Sequence, residues 1–135
     1  MFKILFFAAL LIGVSGPAFA DQRQDEAVAA GKAWLKMVDD GDYAAAWSDV
    51  AQLFKGKMDV DAWVQSVSAP RGQVGALKSR KLKSYTETTS LPDVPDGDYA
   101  IVEFDSVFAN RKDSGEMLPL VREDGRWKVG GYYIK

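Results

Sequence analysis

The side chains in this sequence that are able to move a proton are few. The 135 residues include no histidine and no cysteine. That removes cysteine nucleophiles, histidine-based triads and every zinc site built from those ligands. What remains is carboxylate and phenol: Glu103, Asp105, Glu116, Tyr85, Tyr99 and Tyr132. A carboxylate base with a tyrosine donor suits isomerase- or dehydratase-type chemistry, given an apolar setting for the acid and a donor aimed at the developing oxyanion. Strand alternation sets Glu103 and Asp105 opposite the apolar face of their segment, so catalysis is the alternative reading and no catalytic residue is assigned. The acidic pairs in "DD", "DGD" and "DVPDGD" lack the alternating oxygen ligands and distal glutamate of a calcium loop. They read as caps and turns. No glycine-rich phosphate loop occurs, and neither a metal nor a cofactor is expected.

Aromatic residues offer a different chemistry, that of an apolar site. Trp34, Trp47 and Trp63 fall on the apolar stripes of three separate helical segments, and Trp127 on the last strand. Core packing accounts for all four. Helices closing over a curved sheet also leave a mouth, and Trp34, Trp63, Phe104 and Tyr132 are the candidate lining for a small apolar ligand there. A second candidate surface is the outward face of one strand, where Tyr99, Ile101, Glu103 and Val107 make a half-apolar patch suited to a homodimer or an envelope partner protein. Ordinary scattered exposure is the competing account. Lys78, Arg80, Lys81 and Lys83 read as a solvated edge strand, with an acidic partner as the other reading.

The elements that must position these residues follow from periodicity. Ala27, Ala30, Trp34, Leu35 and Val38 recur at three- and four-residue steps, predicting a helix over 25–40. Gly41 ends it with a left-handed turn, and Asp42 caps a second helix over 43–54. Asp59 caps a third, carrying Val60, Trp63, Val64 and Val67, which Pro70 and Gly72 close. Strands follow: the lysine-rich segment 77–89, a Pro-rich turn at 91–98, an alternating strand over 98–109, a loop at "NRKDSG", a strand at "EMLPLVR", an Asp124-Gly125 hairpin turn and the last strand. In that last strand Gly130-Gly131 interrupts the alternation. A bulge there switches the phase, so that Tyr132 and Ile134 follow Trp127 and Val129 inward. Close approach of a helix to a side-chain-free patch is the other reading of the pair.

Residues 1–20 read as a cleavable export signal: Lys3, an apolar run over 4–14, a Gly-Pro break, then Ala18-Phe19-Ala20. The run is shorter than the roughly 20 residues a bilayer requires. Cleavage after Ala20 leaves residues 21–135 as a single domain, exported to the periplasm and held by its core without disulfides. Removing Lys3 from the 17 Lys and Arg leaves 16 against 19 Asp and Glu. That balance excludes the basic field of a nucleic-acid binder and the polybasic helix of a membrane-surface protein.

Helices followed by strands predict an α+β domain: three N-terminal helices packed on a curved, mainly antiparallel four-stranded sheet. This order resembles the nuclear-transport-factor-2-like, or cystatin-like, cone. "AWLKMVDDGDYAAAW" (33–47), "LPDVPDGDY" (91–99), "VFANRKDSGE" (107–116) and "DGRWKVGGYYIK" (124–135) are similar to motifs of a bacterial exported family catalogued as domain of unknown function 4019. The resemblance implies a small periplasmic domain without an assigned activity. The expectation is therefore an exported binding domain for a small apolar ligand or an envelope partner. An enzyme of the carboxylate-tyrosine type and a purely structural dimer are the alternatives.

Overall fold

The computed structural model describes residues 17–135. The predicted apolar run at 4–14 lies outside the described residues. Helix α1 (Pro17–Asp39) is the longest element. It buries Ala27, Trp34, Leu35 and Val38 of the stripe that its sequence predicts; Ala30 is only partly buried, and Val28, outside that stripe, is buried too. Its first buried side chain is Ala27, and Ala18, Phe19 and Ala20 are all exposed. Gly41 follows at φ 75°, where a side chain would be strained. The Asp42 carboxylate then accepts a 3.1 Å hydrogen bond from the Ala45 N–H.

The single predicted helix over 43–54 is two short ones, α2 (Tyr43–Ser48) and α3 (Gln52–Lys55). Between them the Ala51 N–H donates to the Val129 carbonyl at 2.9 Å, so the chain leaves the helix to meet the sheet. The Glu123 carboxylate restarts it, accepting from the N–H groups of Gln52 at 2.9 Å and Leu53 at 3.0 Å. A side chain distant in sequence thus does the work of an N-cap. Helix α4 (Val60–Val74) is capped by Asp59 as expected, but it runs through Pro70 and past Gly72. Among the described residues the helical half therefore holds four helices rather than three.

Among the described residues the sheet is antiparallel throughout and has five strands, not four. These are β1 (Leu77–Thr88), β2 (Tyr99–Phe108), β3 (Arg111–Glu123), β4 (Arg126–Val129) and β5 (Tyr133–Ile134). The order is β1-β2-β3-β4, with β5 pairing β3 beyond β4. The predicted loop "NRKDSG" is largely strand: only Ala109-Asn110 turns, and β3 begins at Arg111. Asp124 at φ 53° and Gly125 at φ 75° make the expected hairpin turn.

Ala100, Val102, Phe104, Leu118, Leu120, Trp127 and Val129 face the helices and form one core with the α1, α2 and α4 stripes. At the glycine pair both readings hold. Leu120 pairs Val129 and Met117 pairs Tyr133, so residues 130–132 oppose only 118–119, one residue in excess. Tyr132 accordingly turns inward while Tyr133 is 55% exposed. A Cβ on Gly130 would sit under 3.0 Å from the Phe54 ring, so α3 rests on the glycine itself.

Candidate functional site

Glu116 lies in phase with Leu118 and Leu120 on the apolar face of β3 and is 1% exposed. A carboxylate so placed requires partners, and four hydrogen bonds arrive. Arg80 on β1 donates from Nε to Oε1 at 2.7 Å and from Nη2 to Oε2 at 3.0 Å. Ser106 on β2 donates to Oε1, and the Tyr132 hydroxyl to Oε2. Each oxygen has two donors, which fills its acceptor capacity.

The same guanidinium reaches Asp39 at the end of α1, from Nη1 at 2.9 Å and Nη2 at 3.1 Å. Asp39 also accepts from Arg71 Nη1 on α4 at 2.7 Å. Two cations and two anions thus join α1, α4, β1 and β3 with no net charge. Arg71 lies 5.0 Å from the Phe108 ring centroid, and its Nε is buried without a partner among the described residues. For Asp39, burial pushes the carboxyl upward. The hydrogen bonds and charges of Arg80 and Arg71 outweigh that and hold it below the usual carboxylate range. For Tyr132, burial and then the Glu116 charge push the phenol far above its ordinary value, so it remains a donor. Arg80 stays charged: burial works against it, and its two carboxylates more than compensate.

Tyr132 belongs to a second feature as well. Its ring meets Trp34 edge-on at 5.8 Å, Trp34 meets Trp63 edge-on at 6.1 Å, and Trp63 lies 5.3 Å from Trp47. Beside this cluster is a cavity of about 530 Å³, bounded by α4 (Trp63, Ser66, Val67, Pro70), by the C-terminal segment 130–134, by Phe54 to Met58 and by the 92–94 loop. That size falls within the range of small-ligand sites.

Of the four residues predicted to line an apolar site, Trp63 and Tyr132 are in this wall. Trp34 is 1% exposed, with its Nε1–H donating to the Ala46 carbonyl at 2.9 Å, and it lies behind them. Phe104 is fully buried in the core. The predicted outward patch divides too. Tyr99 is 1% exposed rather than outward-facing and free: Ala51, Val121, Leu91 and Val94 cover it, and its hydroxyl donates to the Pro95 carbonyl. Ile101, Glu103 and Val107 are half-buried on the outer sheet face. There Glu103 accepts from Lys135 Nζ at 3.2 Å.

Sequence periodicity leaves Glu116 among separate acids and Arg80 in a solvated basic run, and it singles out neither Asp39 nor Arg71. The available signal is phase: Arg80 alternates with Leu82, and Glu116 with Leu118, each on the inward face of its strand. Chemically the cluster is a closed ion-pair network. A carboxylate with both oxygens saturated has no lone pair to offer a substrate proton. Among the described residues no three His, Cys, Asp or Glu side chains converge to hold a metal.

The family described as protein of unknown function (DUF4019) matches residues 30–132. This chain belongs to that family. The matched span takes in α1 from Ala30 onward, all four ion-network residues and Tyr132. Curated proteins provide no match. The DUF4019 assignment thus covers the network and the cavity walls other than Tyr133 and Ile134, without attaching an activity to either.

Proposed function

We propose that this DUF4019 member is an exported bacterial binding domain that holds an apolar ligand in the cavity between α4 and the C-terminal segment. The carrying observation is the wall itself: Trp63, Val67, Pro70, Phe54, Tyr132 and Ile134 present apolar surface around about 530 Å³. Burying apolar surface there contributes roughly 25 cal/mol per Å² removed from water. The saturated Glu116 favours binding over proton-transfer catalysis. Extra residues in β1 and β3 at the register shifts, and the bulge at 130–132, are devices that bend a sheet, which supports a nuclear-transport-factor-2-like cone. Export with cleavage after Ala20 rests on the small-x-small pattern Ala18-Phe19-Ala20. Among the described residues no helix is long and apolar enough to cross a membrane.

Native mass spectrometry of protein released gently from the periplasm tests the whole reading. The expected species begins at Asp21 and carries extra mass that is lost on denaturation. A clean mass at every step of a mild preparation overturns the ligand reading, and absence from the periplasmic fraction overturns export.

A further inference from the structure

Resting on the cavity assignment above, we infer that the ligand is an extended, uncharged peptide segment, held by strand addition to the free edge of β5. The first observation is where the cavity sits. Tyr132, Tyr133 and Ile134 all line it, although successive residues of a strand point to opposite faces. A space touching all three wraps the edge of the sheet rather than lying over one face. The opposite wall is α4, where Trp63, Val67 and Pro70 mark successive turns. From Trp63 to Pro70 is about 10 Å along a helix axis, and three to four extended residues span a similar length.

The second observation is the state of that edge. Gly115 and Lys135 exchange both backbone hydrogen bonds, at 3.0 and 2.8 Å. Bonded and non-bonded pairs alternate in an antiparallel ladder. Ile134, paired with Glu116, therefore turns its N–H and C=O away from β3. No described strand lies beyond β5. This is one donor and one acceptor, the pair that an antiparallel partner strand engages at a single residue.

The third observation is the polar inventory of the walls. Ser66 Oγ donates to the Trp63 carbonyl at 2.7 Å, and Lys57 Nζ to the Asp93 carbonyl at 2.9 Å, so both side chains are engaged. Lys57 and Asp93 balance in charge, which matches a segment without net charge. The strand edge thus offers polar groups beside the Asp93 carboxylate and the Tyr133 hydroxyl, which also line the cavity. A purely apolar molecule filling the groove would strip water from those edge groups and give no hydrogen bond back. A peptide returns the hydrogen bonds and places alternate side chains against Trp63 and Val67.

The two outer edges of the sheet are treated differently. β1 carries exposed Lys78, Lys81 and Lys83, which discourage strand pairing. At the other edge Tyr133 is 55% exposed and Met58 on the facing rim 43%. Three exposed lysines defend the β1 edge, whereas β5 has only its two-residue length and the neighbouring Lys135 to guard it.

The test uses the intact protein, a pool of uncharged hexapeptides with alternating apolar residues, the same pool N-methylated at alternate amides, and N-phenyl-1-naphthylamine as a small apolar probe. Binding is followed by tryptophan fluorescence and by amide hydrogen exchange. The expected result is saturable peptide binding that slows exchange at Ile134, and at least about tenfold weaker binding of the N-methylated pool. Equal binding of the two pools overturns strand addition. Binding of the naphthylamine alone also overturns it, while sparing the apolar-ligand reading. Binding of none of the three overturns both.

Discussion

At Gly130 a missing side chain is what lets α3 lie on the sheet. Gly130→Ala drives a methyl into the Phe54 ring, and overpacking of that kind costs about 1–3 kcal/mol. Chemical denaturation of Gly130→Ala, Phe54→Leu and the double variant checks this. The double variant should be less destabilised than the two single effects predict together, because a smaller Phe54 replacement relieves the clash.

Asp39 carries the pH argument at the same scale. Its carboxyl is held below the usual range in the folded state, so the unfolded chain binds that proton more tightly. The resulting stability is fully present above the unfolded value of about 3.9 and is lost as pH falls through the lower folded value. The difference in unfolding free energy between wild type and Asp39→Asn should stay flat from about pH 7 to 5 and shrink below about pH 4. A difference that grows on acidification would reverse the assignment. Removing Glu116 leaves Arg80 buried and short of one of its two anions. Glu116→Ala should cost about 3–5 kcal/mol in the same denaturation measurement, as for other broken buried pairs.

Among the elements, α4 departs most from its sequence signal. Pro70 lacks an N–H, and its ring crowds the Ser66 carbonyl, which is why a helix should stop there. It continues because the next turn is anchored from outside: Arg71 reaches Asp39, and Val74 is buried. Pro70→Ala should stabilise the fold by about 1–3 kcal/mol in equilibrium denaturation. If the variant is less stable, the proline is relieving strain rather than imposing it.

The elements legible in the sequence are those whose cause is local. The α1 stripe, the Asp42 and Asp59 caps, the Asp124-Gly125 turn and the phase switch at Tyr132 depend on residues within a turn or a bulge. What is not legible has causes distant in the chain. The break between α2 and α3 depends on Val129 and Glu123, the cover over Tyr99 on the 91–97 loop, and the extension of β3 on pairing with β2. The candidate site follows the same division. Trp63 and Tyr132 are visible as aromatics on apolar faces, whereas the Glu116–Arg80–Asp39–Arg71 network joins four elements that only the fold brings together.

For the molecule as a whole, the contacts of α1 set where the folded unit begins. Arg23 donates to Glu87 at 2.7 Å and to Asp98 at 2.8 Å. Its guanidinium lies 5.3 Å from the Trp127 ring centroid, and Arg122 lies at the same distance from that ring. This one side chain ties the start of the domain to β1, to the residue before β2 and to the last hairpin. Nothing before it is buried among the described residues. A chain beginning at Asp21 should therefore unfold at the same denaturant midpoint as one beginning at Pro17. A chain beginning at Gln24 should lose about 1–2 kcal/mol, since exposed ion pairs contribute under about 1 kcal/mol each and the cation–π contact a similar amount. High salt should narrow the gap between the Asp21 and Gln24 chains by screening the ion pairs, leaving mainly the stacking contribution. If the Asp21 chain is instead the one that loses stability, residues 17–20 belong to the folded unit, and cleavage after Ala20 would cut into it.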